Sequence, residues 1–309
     1  MNSFHERPCD HHSQVFTVDA VLHRGRTGFQ DVLVFENRLF GRVLALDGVV
    51  QLTERDNHIY HEMIAHVPLM AHGKAERVLI IGGGGGGTLK EVLKHPVKQV
   101  VLVEIDPDVM ELSKRYFPEV SGGAFEDQRA SVIVGDGVKY VAESEERFDV
   151  IIMDSTDPVG PGEQLFTTPF YRDCRCLLRP DGQLSLQSGV PFFMPAQLEG
   201  VCSRLASSFD AVRTFLAPVP TYAAGMLALV AAGQSFNALA PSIKVLRERF
   251  RRLELKTDYY RPEVHRAAFT LMPMFAQPKN ETVGEPSDLS RNPCVTSNHT
   301  LGHVSLLRP

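Results

Sequence analysis

Apolar and polar positions along the chain follow two rhythms, and the change between them falls near residue 73. From about Gln14 to Leu52 the runs are short and β-like: V15-F-T-V, F29-Q-D-V-L-V-F-E and G41-R-V-L-A-L-D-G-V-V-Q. The turn formers Arg24-Gly25, Asn37 and Asp47-Gly48 break them, which is the pattern of short antiparallel hairpins. Thr53, with Asp56 three residues on, makes a variant of the capping box. It opens a predicted helix through His58, Tyr60, Met63, Ile64 and Val67 that ends near Pro68. From Val78 the apolar runs V78-L-I-I, V100-V-L-V, S131-V-I-V and F148-D-V-I-I-M alternate with helical stretches after Gly87, Pro107, Gly137 and Thr168. Further strands are predicted at G182-Q-L-S-L-Q, V212-R-T-F-L and M226-L-A-L-V.

Near-continuous β-branched runs separated by helices indicate a mostly parallel sheet covered on both faces. The expectation is a small antiparallel β domain with a linking helix over residues 1–72, then a doubly wound α/β domain over 73–275. The polar, turn-rich stretch beyond Phe275 (276–309) has no periodicity and is expected to be disordered.

Bulk properties narrow the partners. A formal charge of -5 argues against nucleic acid and is compatible with cationic ligands. No apolar run approaches the roughly 18 residues of a membrane span, and the first residues lack a signal-peptide apolar region. With five cysteines and no C-x-x-C pair, the expectation is a cytoplasmic protein with free thiols.

In an open α/β sheet, ligands bind at the carboxyl ends of the strands near the switch point. The first strand runs into six glycines, Gly82 to Gly87. The second ends at Glu104, 22 residues past Gly82, where a carboxylate can accept from both hydroxyls of a ribose. The third ends at Asp136, between Gly135 and Gly137, placed to accept from an exocyclic amine such as adenine N6. The fourth reaches Asp154-Ser155-Thr156-Asp157. Each feature alone has a plain structural use, since glycines serve tight turns and acids cap helices. Four in succession indicate a nucleoside lying across the sheet edge. Asp154 and Asp157 bring negative charge to its reactive end with no lysine or arginine beside them in sequence, which suits a sulfonium better than a phosphate. His61 and His66 do not form a metal motif. H61-E-M-I-A-H66 has one residue too many for H-E-x-x-H, and five helical steps set the two rings about 140° apart.

These residues resemble one family, the spermidine synthases. The resemblance rests on F40-G-R-V-L-A-L-D-G-V-V-Q-L-T-E-R-D, Y60-H-E-M, the glycine loop, V-E-I-D, G-D-G, D154-S-T-D-P-V-G-P-G-E-Q-L-F, Pro220-Thr221-Tyr222 and Y259-Y-R-P-E-V-H-R-A-A-F. It covers roughly residues 5 to 275. It implies a Rossmann-like fold of the class I methyltransferase type. It also implies aminopropyl transfer from decarboxylated S-adenosylmethionine, a co-substrate, to putrescine, with no prosthetic group or metal, in a homodimer or homotetramer joined through the N-terminal β region. By the same resemblance Gln30, Gln51, Gly82, Gly84, Glu104, Asp136 and Gly137 hold the thioadenosine part, and Pro161 lies on a loop closing over it. The resemblance makes Asp154 the expected catalytic acid–base residue. It implies that Tyr60, His61, Ser155, Thr156, Asp157, Gln187 and Tyr222 line the diamine channel with Asp154.

The chemistry agrees with these roles. A diamine carries ammonium groups with pKa values near 10, so one nitrogen must lose a proton before it attacks, and a carboxylate can take it. The far ammonium needs its own anionic anchor, and tyrosines can pack on the methylene chain.

One departure stands out. The family loop reads G-G-G-D-G-G, and here position 85 is glycine. The resemblance places that missing carboxylate beside the donor's ammonium. Its loss predicts a deficit between about tenfold and a few thousandfold in binding or rate. Two alternatives follow: an amine N-methyltransferase using S-adenosylmethionine, and a non-catalytic homologue that binds nucleoside or polyamine.

Overall fold

The computed structural model describes residues 2–158 and 160–270; the tail expected beyond Phe275 and the last residues before it lie outside them. The chain begins with a two-stranded antiparallel ribbon, β1 (Asn2–Cys9) and β2 (His12–Val18). A four-stranded antiparallel sheet follows: β3 (Ala20–Arg26), β4 (Asp31–Asn37), β5 (Gly41–Leu46) and β6 (Val49–Thr53). After helix α1 (Asn57–His72), strands β7 (Arg77–Gly82), β8 (Gln99–Glu104), β9 (Ala130–Val134), β10 (Phe148–Asp154) and β11 (Leu178–Gln187) run parallel. The intervening helices are α2 (Gly87–Leu93), α3 (Pro107–Tyr116), α4 (Pro118–Ser121), α5 (Gly137–Glu143) and α6 (Thr168–Leu177). Helix α7 (Pro195–Ala206) leads to β12 (Ala211–Ala217) and β13 (Leu227–Gly233), with β13 antiparallel to both β11 and β12. Helices α8 (Phe236–Leu239), α9 (Ile243–Leu253) and α10 (Pro262–Ala268) complete the described chain. The large sheet has the order β12-β13-β11-β10-β7-β8-β9.

The continuous apolar runs reflect two covered faces. Along β7, Val78 and Ile80 point into a core shared with α1, α2 and α9, while Leu79 and Ile81 face α5, α6 and α7. The same logic explains F29-Q-D-V-L-V-F-E. Val32 and Val34 pack on Val109 and Phe117 beside α3, whereas Phe35 packs on Phe4 and Phe16 of the ribbon. This packing carries the N-terminal sheets to the mouth of the α/β unit.

Four local expectations are corrected. The β region starts before Gln14, with β1; its alternation puts Phe4 and Glu6 inside and His5 and Arg7 outside. Arg24-Gly25 is not a turn but lies within β3, paired with Leu33 and Val32; the turn is Thr27 to Gln30, closed by the Thr27 N–H on the Gln30 carbonyl at 2.9 Å. The first helix runs through Pro68 to His72 and stops at Gly73, which is left-handed and donates its N–H to the Leu69 carbonyl at 2.8 Å. An interior proline costs about 3 kcal/mol, but every residue of α1 from Tyr60 to His72 is buried, and that burial outweighs it. Thr53 is not the N-cap. Its hydroxyl donates to Asp56 Oδ1 at 2.6 Å, and Asp56 occupies the cap position with its side chain turned away from the helix. Asp56 Oδ2 instead accepts the Thr221 N–H at 2.8 Å and the Thr221 hydroxyl.

Among the described residues no helix is long and apolar enough to cross a membrane.

Candidate active site

The chain leaves β7 toward β8 and β9 on one side and returns to β10 and β11 on the other, so the switch point lies between β7 and β10. At their carboxyl ends Gly82 and Asp154 are register partners, and the Gly83 N–H donates to the Asp154 carbonyl at 2.8 Å. A Cβ on Gly82 would overlap that carbonyl, and Gly82 has φ +81, so glycine is required on two counts. The half-buried Asp154 carboxylate accepts from the Tyr60 hydroxyl at 2.6 Å. Tyr60 is buried on α1, and burial followed by the Asp154 charge keeps its phenol protonated by raising its pKa well above normal.

On the β8 side, Glu104 is buried, and both its oxygens accept backbone N–H groups: Oε2 from Gly84 at 2.9 Å, Oε1 from Asp106 at 2.9 Å. Burial pushes its pKa up to about 7, against the lowering effect of those two N–H groups. Gln30 reaches this end through its amide, which donates to Asp106 Oδ2 at 2.9 Å beside the Thr27 hydroxyl at 2.6 Å. Asp136 caps α5 through the Val138 N–H at 2.8 Å and is otherwise exposed. Gly137 is packed so that a Cβ would lie 2.5 Å from Ile81. Pro161 belongs to a short 3-10 turn, Gly160–Phe166.

His61 lies against Gly87, where any Cβ would enter its ring, and its Nδ1 is 3.3 Å from Asn57 Oδ1. Burial lowers its pKa, leaving a neutral imidazole under the loop. Beyond Asp154, Asp157 Oδ1 accepts from the amides of Gln197 at 3.2 Å and Gln187 at 3.4 Å, and burial raises its pKa. Gln187 also donates to the Ser155 carbonyl at 3.1 Å. The Ser155 hydroxyl donates to the Thr156 carbonyl at 3.1 Å, and Thr156 is half-buried. Tyr222 donates to the Gln51 carbonyl at 2.9 Å, so the Gln51 backbone, with its side chain on Val49, shapes this wall.

Sequence reasoning missed three polar side chains here. Glu6, 5% exposed on β1, accepts the Val50 N–H at 3.1 Å and the Gln14 amide. Gln14 also donates to the Thr221 carbonyl at 2.9 Å, tying the ribbon to the loop that carries Tyr222. Burial raises the Glu6 pKa to about 7, and Asp157 is near enough to add to the rise. Gln197, on α7, is the third. No lysine or arginine pairs with Glu6, Glu104, Asp154 or Asp157 among the described residues. The arrangement is a row of carboxylates held by neutral donors and a phenol, which attracts a cation.

Comparison with known proteins identifies the chain's relatives. The spermine/spermidine synthase domain model matches residues 57–240, and the spermidine synthase tetramerisation domain model matches residues 4–54. The polyamine aminopropyltransferase of Ruegeria sp. (strain TM1040) is 48% identical over 267 residues, 86% of this chain and 94% of that protein. Polyamine aminopropyltransferase 1 of Pseudomonas aeruginosa is 44% identical over 272 residues, 88% and 95% respectively. A crystal structure of spermidine synthase in complex with the transition state analogue AdoDATO superposes with a TM-score of 0.83 at 37% identity, covering 88% of this chain and 92% of that one. Spermidine synthase from Thermotoga maritima gives 0.79 at 35%, covering 89% and 91%.

Proposed function

Because the chain belongs to the spermine/spermidine synthase family and is an aminopropyltransferase, we propose that it moves the aminopropyl group of decarboxylated S-adenosylmethionine to putrescine. The products are spermidine and methylthioadenosine. The observation that carries this reading is the meeting of Asp154, Tyr60 and the glycine loop at the switch point, with a second group of carboxylates, Asp157 and Glu6, beyond it.

In this reading Glu104 takes the ribose hydroxyls of the donor and Asp136 the adenine amine. The acceptor lies between Asp154 and the Asp157–Glu6 end. Its far ammonium is held by the distal pair, whose hydrogen-bond donors are neutral amides and one backbone N–H. Its near ammonium gives a proton to Asp154. The freed nitrogen lone pair attacks the methylene carbon bonded to sulfur. The C–S bond breaks with its electron pair going to sulfur, which turns the sulfonium into a neutral thioether. Tyr60 fixes one carboxylate oxygen, so Asp154 presents the other along a defined line. Charge is destroyed at sulfur as the bond breaks, so no oxyanion stabiliser is required. The site's work is alignment and proton removal.

The relatives favour aminopropyl transfer over the N-methyl transfer considered from sequence. Exposed Val15 and Val21 on the N-terminal strands, and Leu39 in the turn between β4 and β5, support association of copies through that region, as a dimer or tetramer. The free thiols of Cys9, Cys174, Cys176 and Cys202 support a cytoplasmic setting.

The test is product identification by mass spectrometry with the decarboxylated donor and putrescine. Spermidine and methylthioadenosine should appear together, and Asp154→Asn should reduce both at least about a hundredfold. An Asp154→Asn enzyme as fast as the wild type would remove the assigned role. Absence of product from the wild type would remove the reading.

A further inference from the structure

Helix α1 begins at Asn57, and His61 lies one turn further on the same face. The Asn57 amide is held at its nitrogen end: Nδ2 donates to the Thr53 carbonyl at 2.8 Å and to the Glu54 carbonyl at 3.0 Å. Carbonyls only accept, so the NH2 group must face them and the amide has one orientation. Its Oδ1 is therefore the atom turned to His61 Nδ1, 3.3 Å away. An amide oxygen only accepts as well, so Nδ1 must carry a proton. Burial keeps the ring neutral: desolvation outweighs the pull of Asp154 and Glu91 toward the charged form, and Lys90 and His58 add to the neutral side. A neutral imidazole has one N–H and one lone pair, so the lone pair is left on Nε2. That atom has no protein hydrogen-bond partner among the described residues, and the ring lines a cavity with Gln51, Asp56, Tyr60 and Tyr222.

We propose that Asn57 is a positioning residue for the reaction: it locks the His61 proton on Nδ1 and so presents Nε2 as a bare acceptor for a primary ammonium group of a substrate. This rests on the reading that cationic amines occupy the cleft. Both the decarboxylated donor and putrescine carry such a group. Which nitrogen of a neutral histidine holds the proton is set by the hydrogen bond that the other nitrogen makes. With the proton on Nε2 the ring would point the positive end of an N–H at a cation, and a doubly protonated ring would repel it outright. Asn57 touches no substrate in this scheme. It acts through His61, and the backbone carbonyls of Thr53 and Glu54 in turn fix Asn57.

The experiment is long-range proton–nitrogen correlation spectroscopy of the histidine rings in protein labelled with 15N-histidine, with the His61 signals assigned by their loss in His61→Gln. The wild-type spectrum near neutral pH tests the tautomer without touching Asn57, and it should show a neutral ring with the proton on Nδ1. Asn57→Leu should release the proton to Nε2, whereas Asn57→Asp keeps an oxygen against Nδ1 and should hold it there. Dissociation constants for the decarboxylated donor and for putrescine, measured by calorimetry, supply the second reading. In Asn57→Leu one of the two should rise between about tenfold and 150-fold, and Asn57→Asp should stay closer to the wild type. The ligand that moves identifies which ammonium Nε2 accepts. A wild-type ring that is doubly protonated or carries its proton on Nε2 overturns the proposal. So does a tautomer unchanged in Asn57→Leu, or a switched tautomer with both affinities unchanged. Expected spectra and affinities with no turnover sink only the assigned reaction. A wild type that binds neither ligand overturns both.

Discussion

Glu6→Gln offers a direct test of the acceptor end. In the folded protein the Glu6 carboxyl is raised from its ordinary 4.5 to about 7 by burial, with Asp157 adding to it. The folded state therefore holds this proton more tightly than the unfolded chain between those pH values. Stability from this group is greatest below pH 4.5, falls as pH rises toward 7, and is level above it. The full cost is about 3 kcal/mol, from a rise of two to three units at 1.36 kcal/mol per unit. Contributions from other groups cancel when wild type and variant are compared at each pH. Wild type should lose about 3 kcal/mol relative to Glu6→Gln between pH 4.5 and 7.5.

Acceptor binding reverses that penalty. A diammonium ligand beside Glu6 and Asp157 favours the ionised pair, so at pH 6.5 binding should expel most of one proton from Glu6, about 0.8 for a pKa near 7. Calorimetry in two buffers of different ionisation enthalpy reads this number directly. In the variant the release should fall to whatever Asp157 supplies, and affinity should drop about tenfold or more through the lost charge. Wild-type proton release surviving in Glu6→Gln, or an unchanged affinity, refutes the placement of the far ammonium. Donor binding, measured separately, should be unaffected, because Glu104 and not Glu6 lines that side.

Three further perturbations separate positioning from folding. Tyr60→Phe keeps the buried ring and removes only the 2.6 Å bond to Asp154, so kcat/KM should fall between about tenfold and 150-fold with melting nearly unchanged. A variant as active as wild type would show that Asp154 needs no such support. Gly84→Ala pushes a methyl to within 2.9 Å of Glu104 Oε2 at a φ that alanine accepts, so the donor's KM should rise at least about tenfold while the acceptor's stays within about twofold. Equal rises in both constants would deny Glu104 a donor-specific role. Asp56→Ala removes the acceptor for the Thr221 N–H and hydroxyl, at a cost of about 3 kcal/mol and a fall of roughly 6–12 °C in Tm. A shift under about 2 °C would mean that the loop carrying Tyr222 is held by other contacts.

The two halves of the site differ in how far the sequence discloses them, and the difference has a physical basis. The groups assigned to the donor sit at strand ends of consecutive βα units, where the chain itself fixes spacing: a glycine turn after β7, an acid after β8, another after β9. Such local geometry is legible as a pattern, and Gly82, Glu104, Asp136 and Asp154 all lie at the strand ends where the pattern put them. The acceptor end depends on packing between distant segments. Glu6 comes near Asp157 only because the ribbon packs on Phe35 of β4 and Gln14 bonds to Thr221, contacts separated by as many as 207 positions. The stretch F4-H-E-R-P, with its proline and charges, does not look like a strand. Its alternation nevertheless sends a carboxylate to the inward position where an apolar residue belongs. A carboxylate in that position must be compensated, and here the protein supplies one backbone N–H and one amide but no cation. Below about pH 7 a proton supplies the remaining compensation, and in the proposed reading the acceptor's ammonium takes that part on binding, so the position that most obscures the strand in the sequence is also the one assigned to the acceptor.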